Sequence, residues 1–391
     1  MKKKVVVGLS GGVDSSVAAL LLKQEGYDVT GLFMINWKDT TGTLAGDCPW
    51  KDDLLFAEMV ARRLEIPFLT VDFSEKNRKR VVDYMFSEYS AGRTPNPDVL
   101  CNREIKFDLF LQKALEEGAD FIATGHYCRR ENLPENPAIV RLLAGIDRNK
   151  DQSYFLCQLH QEQLARSLFP LGNITKPMVR EIARKHGLPT SERKDSQGIC
   201  FIGKVDLPAF LQQKLAPREG NIIEIPADAP IYDSKENQDD PELLATPWRY
   251  TPDMGRIAGK HRGAWFYTIG QNKGLNIGGR PKPSFVIATD PVNNIIYTGV
   301  GDDHPGLYRK GLRIAPRDIH WVRPDLMPEQ NSTRTYLVRI RYRQPLQEAD
   351  LIFKPSGAYI LFKEKQRGIT PGQFAAWYDG EEVIGSGAIF E

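Results

Sequence analysis

The sequence has few cysteines, and they are not spaced as metal ligands usually are. Five cysteines occur in 391 residues, at Cys48, Cys101, Cys128, Cys157 and Cys200. An odd number of dispersed cysteines argues against a disulfide framework and is typical of a reducing compartment. No C-x-x-C pair is present, which argues against structural zinc and against an iron–sulfur cluster. We therefore expect these cysteines to be buried or catalytic.

Long apolar runs and a strong net charge are also missing. No run approaches 18 apolar residues, so a membrane-spanning helix is excluded. The apolar stretch after Lys2-Lys3-Lys4 breaks at Ser10-Gly11-Gly12 without a small-residue cleavage site, which argues against a signal peptide. We expect a cytoplasmic protein with no membrane partner. Because the net charge is only +2, any surface that binds nucleic acid must be local.

The length and the apolar pattern predict several domains, the first of them α/β. A chain of 391 residues is too long for one ordinary core. Predicted strands at 4–9, 29–35, 67–73 and 121–125 alternate with predicted helices at 15–25, 52–64, 76–89 and 104–117, and another helix is predicted at 176–186. This alternation is typical of a doubly wound parallel sheet.

The pattern changes after residue 204. Residues 224–258 are rich in Pro, Asp and Glu, with little periodicity, and predict a long loop or insert. Beyond Ser284, alternating segments separated by Gly and Pro predict a small antiparallel β-barrel. The expected domains are therefore an α/β domain at 1–204, a small central domain at 205–283 and a C-terminal barrel at 284–391.

A turn rich in glycine and serine connects the first predicted strand to the first predicted helix. It reads Gly8-Leu9-Ser10-Gly11-Gly12-Val13-Asp14-Ser15-Ser16. Backbone N–H groups and the positive end of a helix dipole meet at such a turn and favour phosphate oxygens. The turn is neither G-x-x-x-x-G-K-[ST] nor G-x-G-x-x-G. An ordinary N-capped turn is the alternative, but two adjacent glycines and three serines exceed what capping requires.

This loop resembles that of the PP-loop ATP pyrophosphatases. The resemblance implies cleavage of ATP between the α- and β-phosphates and use of the AMP half to activate an oxygen. The superfamily includes synthetases for small metabolites as well as tRNA-modifying enzymes, and the loop alone does not choose among them.

Two further segments each carry a cysteine in polar surroundings. The first runs from Thr94-Pro95-Asn96-Pro97-Asp98 through Cys101, and its prolines favour a stiff, extended loop. Cys101 stands just ahead of the helix predicted from Glu104, with Arg103 and Lys106 nearby, so a lowered thiol pKa is expected. Asp98, three residues away, could act as a general acid or base.

The second segment, Lys194-Asp195-Ser196-Gln197-Gly198-Ile199-Cys200-Phe201, carries Cys200. A buried small side chain is the usual interpretation of a lone cysteine, and we keep it for Cys128, Cys157 and mostly for Cys48. For Cys101 and Cys200 the polar, Gly- or Pro-bearing neighbours are poor core material. An α/β scaffold could bring these two cysteines to disulfide distance.

Together these motifs resemble the tRNA-specific 2-thiouridylase family over nearly the whole chain. Other matching segments are 28–37, Ala123-Thr124-Gly125-His126-Tyr127, Lys150-Asp151-Gln152-Ser153, Tyr267-Thr268-Ile269-Gly270-Gln271, Arg341-Tyr342-Arg343 and Pro371-Gly372-Gln373. The resemblance implies ATP-dependent replacement of the 2-oxygen of the wobble uridine by sulfur. It also implies tRNA as partner, ATP as substrate, and a persulfide donor that is a cysteine desulfurase or a sulfur-relay protein. We expect Mg²⁺ with the ATP, because the triphosphate charge must be neutralised, and no metal bound by the protein itself.

The resemblance also implies a role for individual residues. Cys200 would carry the persulfide, Cys101 would form a transient disulfide with it, and Asp98 would assist proton transfer. The residues implied for ATP are Gly8, Leu9, Ser10, Gly11, Gly12, Val13, Asp14, Ser15, Met34 and Gly125. Those implied for tRNA are Asn96, Pro97, Asp98, His126, Lys150, Asp151, Gln152, Arg341, Tyr342 and Gln373.

The C-terminal domain offers one local surface for RNA. Arg339, Arg341 and Arg343 alternate with apolar residues, so a strand would point all three to one face. A solvated strand face is the alternative. The sequence departs from the family at Asn272, where Arg is common, and in the length of 224–258, which bears on the tRNA contacts of the central domain.

Other functions predict different requirements. A PP-loop synthetase acting on a metabolite would not need Cys101 or Cys200. A thiolase with an iron–sulfur cluster would need a C-x-x-C pair and a third cysteine. A non-catalytic tRNA-binding protein would tolerate replacement of Asp14 or Asp98. The joint occurrence of the loop and both cysteine motifs favours the thiolase.

Overall fold

The structure, a computed structural model, describes residues 2–39, 49–195, 198, 207–235 and 239–390. Within these ranges the chain forms a parallel sheet flanked by helices, a small mixed sheet and a closed antiparallel barrel. No helix in this part of the chain is long and apolar enough to cross a membrane. Cys48 and Cys200 lie outside the described residues.

The helices and strands have the following bounds. The helices are α1 (Val13–Gln24), α2 (Pro49–Leu64), α3 (Ser74–Asn77), α4 (Asp83–Ser90), α5 (Pro97–Cys101), α6 (Phe110–Glu116), α7 (Gln161–Ala165), α8 (Lys176–Lys185), α9 (Leu207–Leu211) and α10 (Pro241–Ala245). The strands are β1 (Lys4–Gly8), β2 (Asp28–Ile35), β3 (Phe68–Asp72), β4 (Phe121–Ala123), β5 (Cys128–Leu133), β6 (Asn136–Ala144), β7 (Ser167–Leu168), β8 (Gly220–Glu224), β9 (Arg256–His261), β10 (Ser284–Asp290), β11 (Ile295–Val300), β12 (Tyr308–Trp321), β13 (Thr333–Arg339), β14 (Gln347–Lys354), β15 (Gly357–Arg367), β16 (Phe374–Asp379) and β17 (Glu382–Ile389).

The parallel sheet has the strand order β3-β2-β1-β4-β7, and this confirms the doubly wound α/β prediction. Its central strand is buried on both faces: Val5 and Val7 pack in one core and Val6 in the other. Each fully buried valine contributes about 1.5–3 kcal/mol, which is why a continuous valine run suits this position. Helices α1, α2 and α8 cover the first core, and the helical residues 97–116 cover the second.

The C-terminal barrel is also confirmed. Its strands follow the order β12-β15-β14-β13-β16-β17, and β12 pairs with β17 to close the ring. The fully buried Trp377 lies in its core. The hairpin β5–β6 extends from the parallel-sheet region to β17, where Glu382 pairs with Leu143. The barrel is therefore attached to the first domain by backbone pairing as well as by side chains.

The mixed sheet corrects two details of the prediction. The segment 224–258, predicted as a loop, contains helix α10 and the start of β9, which pairs with β8. Strands β10 and β11, predicted for the barrel, instead extend this sheet in the order β10-β11-β8-β9. Alternation along a strand predicts its two faces but not its partner strand. Helix α10 rests on the barrel, where Arg309 donates to the carbonyl of Ala245 (2.9 Å).

Candidate active site

The glycine-serine turn of residues 8–16, here called the phosphate loop, joins the carboxyl end of β1 to the first turn of α1. The backbone N–H of Ser10 donates to the hydroxyl of Ser15 (3.1 Å). The hydroxyls of Ser15 and Ser16 donate to the carbonyl of Gly12, at 3.2 and 2.8 Å. Serine side chains thus fix the loop around the N-cap of α1, which leaves the amino end of that helix available to an anion.

Two glycines permit the close packing of this loop. Gly11 has a φ of +73°, and a Cβ there would overlap the carbonyl oxygen of Asp53 on α2. A Cβ on Gly125, just after β4, would lie 2.8 Å from the backbone nitrogen of Ser15. Any larger residue at either position would displace the loop.

The apolar residues predicted for nucleotide binding take two different positions. Leu9 and Val13 are buried and belong to the core, so their contribution to a ligand would come from the backbone. Met34 is partly exposed near the end of β2, and its methyl carbon lies 3.4 Å from where a Cβ on Gly8 would stand. Met34 therefore flanks the loop on the β2 side.

Asp14 is the hub of a polar network beside the loop. Its carboxylate accepts a hydrogen bond from the hydroxyl of Tyr127 (2.6 Å) and two from the ammonium of Lys176 (2.7 and 2.8 Å). Burial first, and then the charge of Asp14, raise the pKa of Tyr127 above its usual value. The tyrosine is therefore a proton donor to Asp14 at neutral pH.

Arg193 attaches a second side of the loop to the protein. Its guanidinium donates to the carbonyl of Gly11 (2.7 Å), pairs with Asp53 (2.9 Å) and lies 4.2 Å from the ring centroid of Phe56. Lys176 and Arg193 therefore hold the loop from two sides. The glycine-serine motif predicted neither of these two cations.

The loop that carries Asp98 begins a helix earlier than predicted. Helix α5 starts at Pro97, and the side chain of Asn96 accepts from the backbone N–H groups of Asp98 and Val99, each at 3.2 Å. A capping Asn followed by Pro is a helix-start signal in the sequence. Asp98 and Cys101 are three residues apart in this helix and therefore lie on neighbouring positions of one face.

Cys101 occupies a more apolar position than its neighbours in sequence suggested. Its side chain is fully buried in a cluster that includes Val99, Leu100 and Ile105, whereas Asp98 is partly exposed. The expectation that its surroundings are poor core material was wrong. Because Cys200 lies outside the described residues, the approach of these two cysteines stays a prediction.

Residues from all three sheets meet at the start of this loop. The backbone N–H of Thr94 donates to the carbonyl of Pro371 (2.8 Å) in the barrel. The side-chain amide of Gln373 donates to the carbonyl of Thr94 (2.8 Å), and the hydroxyls of Thr94 and Thr268 are 3.2 Å apart. Gln373, predicted to contact tRNA, thus holds the loop that leads to Asp98.

His126 lies in the segment that follows the carboxyl end of β4. His126 is 7% exposed, and its Nδ1 lies 2.8 Å from the hydroxyl of Thr124. Burial, aided by the charge of Lys106, holds the pKa of His126 well below its usual value. The imidazole is therefore neutral at physiological pH.

The segment 150–152, also predicted to contact tRNA, makes internal contacts. Lys150 pairs with Asp195 (2.6 Å). Asp151 is 4% exposed and accepts from Arg339 (3.2 Å) as well as from two backbone N–H groups. The side-chain oxygen of Gln152 accepts from a backbone N–H (3.0 Å).

The predicted arginine face of the barrel is not formed. Strand β13 ends at Arg339, which is buried against Asp151. Arg341 donates to the carbonyl of Gly368 and to Thr370 (3.0 Å), while Arg343 is exposed in a turn with a φ of +64°. Because the strand stops at the first arginine, the two-residue alternation cannot align the three.

The last of the predicted residues are Tyr342, expected to contact tRNA, and the two cysteines expected in the core, Cys128 and Cys157. The ring of Tyr342 packs 4.3 Å from that of Phe155, centroid to centroid. Cys128 and Cys157 are fully buried thiols. Burial raises the pKa of Cys157 to about 12 and that of Cys128 well above its usual value, so both stay protonated and unreactive, as predicted.

Comparison with known proteins gives matches along the whole chain. Residues 3–204 match the family model described as tRNA methyl transferase HUP domain. Residues 250–300 match the tRNA methyl transferase PRC-barrel domain, and residues 311–389 match the aminomethyltransferase beta-barrel domain. The three matches cover the parallel sheet, three of the four strands of the mixed sheet and most of the barrel.

Full-length relatives carry a single name, tRNA-specific 2-thiouridylase MnmA. The relative from Christiangramia forsetii is 56% identical and that from Flavobacterium johnsoniae 54%, each over 99% of this chain and 100% of its own length. The relative from Karelsulcia muelleri is 46% identical over 99% of both chains. Identity of this extent over the whole length shows that the chain belongs to the tRNA-specific 2-thiouridylase family.

Proposed function

We propose that this protein catalyses ATP-dependent 2-thiolation of the wobble uridine of tRNA. The observation that carries the proposal is the shared position of the phosphate loop and the Asp98–Cys101 helix. The phosphate loop follows β1 at the carboxyl edge of the sheet. Helices between parallel strands run back along the sheet, so residues 97–116, which lead into β4, begin at that same edge. Open α/β sheets bind their ligands there.

The first half of the proposed reaction makes a leaving group. The 2-oxygen of uracil leaves poorly, so it attacks the α-phosphate of ATP and displaces pyrophosphate, and AMP becomes the leaving group. Residues Gly8–Ser15 supply N–H and hydroxyl donors for the phosphates, and Met34 and Gly125 flank them. Binding of ATP is supported by the match of residues 3–204 to a HUP domain.

The second half delivers sulfur. A persulfide on Cys200 attacks C2 of the base, and AMP leaves. The thiolate of Cys101 then attacks the sulfur of Cys200, the sulfur bound to C2 leaves with the electron pair as the thiocarbonyl, and a Cys101–Cys200 disulfide forms. Asp98, beside Cys101 on α5, transfers the protons. A thiol reductant restores both cysteines, and a cysteine desulfurase or a sulfur-relay protein reloads Cys200.

We further propose that Mg²⁺ enters with the nucleotide. Within the described residues there is no group of three or more His, Cys, Asp or Glu side chains placed to hold a metal ion. Both oxygens of Asp14 already accept from Lys176. Mg²⁺ usually keeps several waters and binds through substrate phosphates, so it would neutralise triphosphate charge without a site of its own.

The remaining domains are proposed to hold tRNA. Residues 1–204 would bind ATP and perform the chemistry, while the central domain (205–283) and the barrel (284–391) grip the anticodon arm. The target base must leave its stack to reach the edge of the sheet, at a cost on the order of a few kcal/mol. Asn96, Pro97 and His126, together with the segments 150–152, 341–342 and Gln373, would line this path. The dispersed cysteines and a tRNA substrate favour a cytoplasmic location.

A reconstituted reaction tests the proposal. The protein is incubated with unmodified tRNA, ATP, Mg²⁺, a thiol reductant and a cysteine desulfurase with L-cysteine as the persulfide donor, and nucleosides and pyrophosphate are measured. We expect 2-thiouridine at the wobble position and pyrophosphate release that requires tRNA. Equal pyrophosphate release with a free metabolite and no RNA would instead support a small-molecule synthetase.

A further inference from the structure

A buried lysine stands beside the phosphate loop, outside the loop motif. Lys176 is the first residue of α8 and is 8% exposed. Its ammonium contacts both oxygens of Asp14 (2.7 and 2.8 Å) and one oxygen of Asp195 (2.8 Å). A cation this buried is held by paired carboxylates and weakly screened by water. Its ammonium is therefore fixed in position beside the loop.

Asp195 pairs with two further cations beside Lys176. It accepts from Lys150 (2.6 Å) and from Arg180 (2.8 Å), in addition to Lys176. Although burial alone would raise it, hydrogen bonds from Lys150 and Lys176 lower the pKa of Asp195 to about 2. The carboxylate is thus ionised at any physiological pH and keeps three cations together.

The cations around the loop are closely matched by carboxylates. Lys150, Lys176, Arg180 and Arg193 pair with Asp14, Asp53 and Asp195, and a fourth carboxylate, that of Asp147, accepts from the backbone N–H of Lys176 (2.9 Å). Without Lys176, the carboxylate of Asp14 would lie uncompensated at the amino end of α1 and would repel a phosphate. The ammonium of Lys176 compensates the charge of this carboxylate.

The positions of the strands indicate which part of ATP these cations face. In the order β3-β2-β1-β4-β7, the loop after β1 lies between Met34 on β2 and α8, which follows β7. The thioether of Met34 suits the apolar faces of an adenosine rather than a phosphate. The triphosphate tail would then extend towards the opposite side, where α8 begins.

We propose that Lys176, with Arg180 one turn further along α8, binds the β- and γ-phosphates of ATP and the pyrophosphate that leaves. This inference rests on the proposed adenylation and adds to it the cations that stabilise the leaving group. Asp14 and Asp195 hold the ammonium beside the loop, and a phosphate oxygen would replace one of these three carboxylate contacts when ATP binds, while Arg193 anchors the loop through Gly11. The alternative is that this ion network has only a structural role, in which it joins α8 to the loop.

Binding measurements distinguish the two roles. Affinities for α,β-methylene-ATP, AMP and pyrophosphate are measured for the full chain with saturating unmodified tRNA. Lys176→Met is expected to weaken binding of the ATP analogue and of pyrophosphate by about 10- to 100-fold, as for loss of a hydrogen bond to a charged group. AMP affinity should stay within about twofold. The matched control is Arg184→Gln, an exposed residue of the same helix that pairs only with Glu192 in the described chain, and all three affinities should be unchanged.

A second variant keeps the inference testable if the Lys176→Met protein does not fold. Arg180 is more exposed than Lys176, so Arg180→Gln should fold and show the same selective loss to a smaller extent. Equal loss of AMP and of the ATP analogue, or no loss of either in a folded Lys176→Met protein, would overturn the inference. If the unsubstituted protein binds no ATP analogue at all, the proposed adenylation itself fails, which is a different result.

Discussion

The phosphate loop and the loop that leads into helix α5, here called the Asp98 loop (residues 94–98), are held in different ways. Every described contact that fixes the phosphate loop comes from residues of the first domain, among them Asp53, Tyr127 and Lys176. The Asp98 loop is instead fastened by Thr268 of the mixed sheet and Gln373 of the barrel. The proposed adenylation would therefore need only the first domain, whereas the proposed sulfur transfer would depend on how the domains assemble.

The largest effect is expected from Gly11→Ala in the phosphate loop. The new Cβ meets the backbone of Asp53, which cannot move aside as a flexible side chain would. We expect ATP binding, and with it thiolation, to fall by at least about 100-fold, equivalent to roughly 2.7 kcal/mol. Nucleotide titration and nucleoside analysis measure the two effects.

The control for this variant is Gly26→Ala. Gly26 has a comparable φ of +89°, but no atom lies within 4 Å of its would-be Cβ. It should lose about 1–2 kcal/mol of stability through backbone strain while keeping nucleotide affinity. Equal nucleotide affinity in the two variants would show that the loop does not require the close approach seen at Gly11.

A moderate effect, confined to sulfur transfer, is expected from Gln373→Ala. The variant removes the hydrogen bond that joins the barrel to the carbonyl of Thr94. A neutral hydrogen bond contributes about 0.5–1.5 kcal/mol, so the rate of thiolation should fall about 2- to 10-fold. The KM for ATP should stay unchanged, because the phosphate loop has no contact with the barrel in the described chain.

Gln330→Ala on an exposed barrel loop is the matched control and should behave as the unsubstituted protein. A Gln373→Ala protein whose KM for ATP rises in parallel with its loss of rate would contradict the separation of the two regions. Thr268→Val should reproduce the effect of Gln373→Ala from the side of the mixed sheet.

The smallest effect is a pH dependence at the contact between barrel and first domain. Burial holds the pKa of His320 at about 4, and its Nε2 contacts the carbonyl of Leu159 (2.9 Å). An undocked or unfolded chain has the ordinary value of 6.5, so it binds more protons than the folded chain once the pH falls below 6.5. Stability is therefore fully present above pH 6.5 and decreases as the pH falls towards 4.

Thermal unfolding and thiolation rates measured between pH 5 and 8 test this point. Both should decline below pH 6.5 in the unsubstituted protein, and the decline should be shallower in His320→Gln. Nucleotide affinity, which does not depend on the barrel, should change less over the same range. If His320→Gln and the unsubstituted protein have the same pH profile, protonation of His320 does not cause the decline.

The sequence predicted the fold of the two large regions because their patterns are strong. A strand of valines followed by a glycine-serine turn and a helix predicts the parallel sheet. Regular alternation of apolar and polar residues predicts the barrel. The pairing of β10 and β11 with β8 could not be predicted, because period-two alternation does not identify a partner strand. Helix α10 was missed because a five-residue helix has too little periodicity to detect.

Part of the site was predictable in the same way. Gly11 and Asp14 stand in the glycine-serine motif, and Gly125 stands in the segment 123–127, which packs against it. Lys176 is 162 residues from Asp14 in sequence, so only the fold brings the two together. Gln373 was predicted as a residue of the site, but its contact with Thr94 depends on docking of the barrel, which no local pattern records.

One measurement tests the separation of the two regions most directly. Cys101→Ser and the buried-thiol control Cys157→Ala are assayed in parallel for tRNA-dependent pyrophosphate release and for 2-thiouridine. The account predicts that Cys101→Ser keeps pyrophosphate release but forms no 2-thiouridine, while Cys157→Ala does both. Normal 2-thiouridine formation by Cys101→Ser would contradict it.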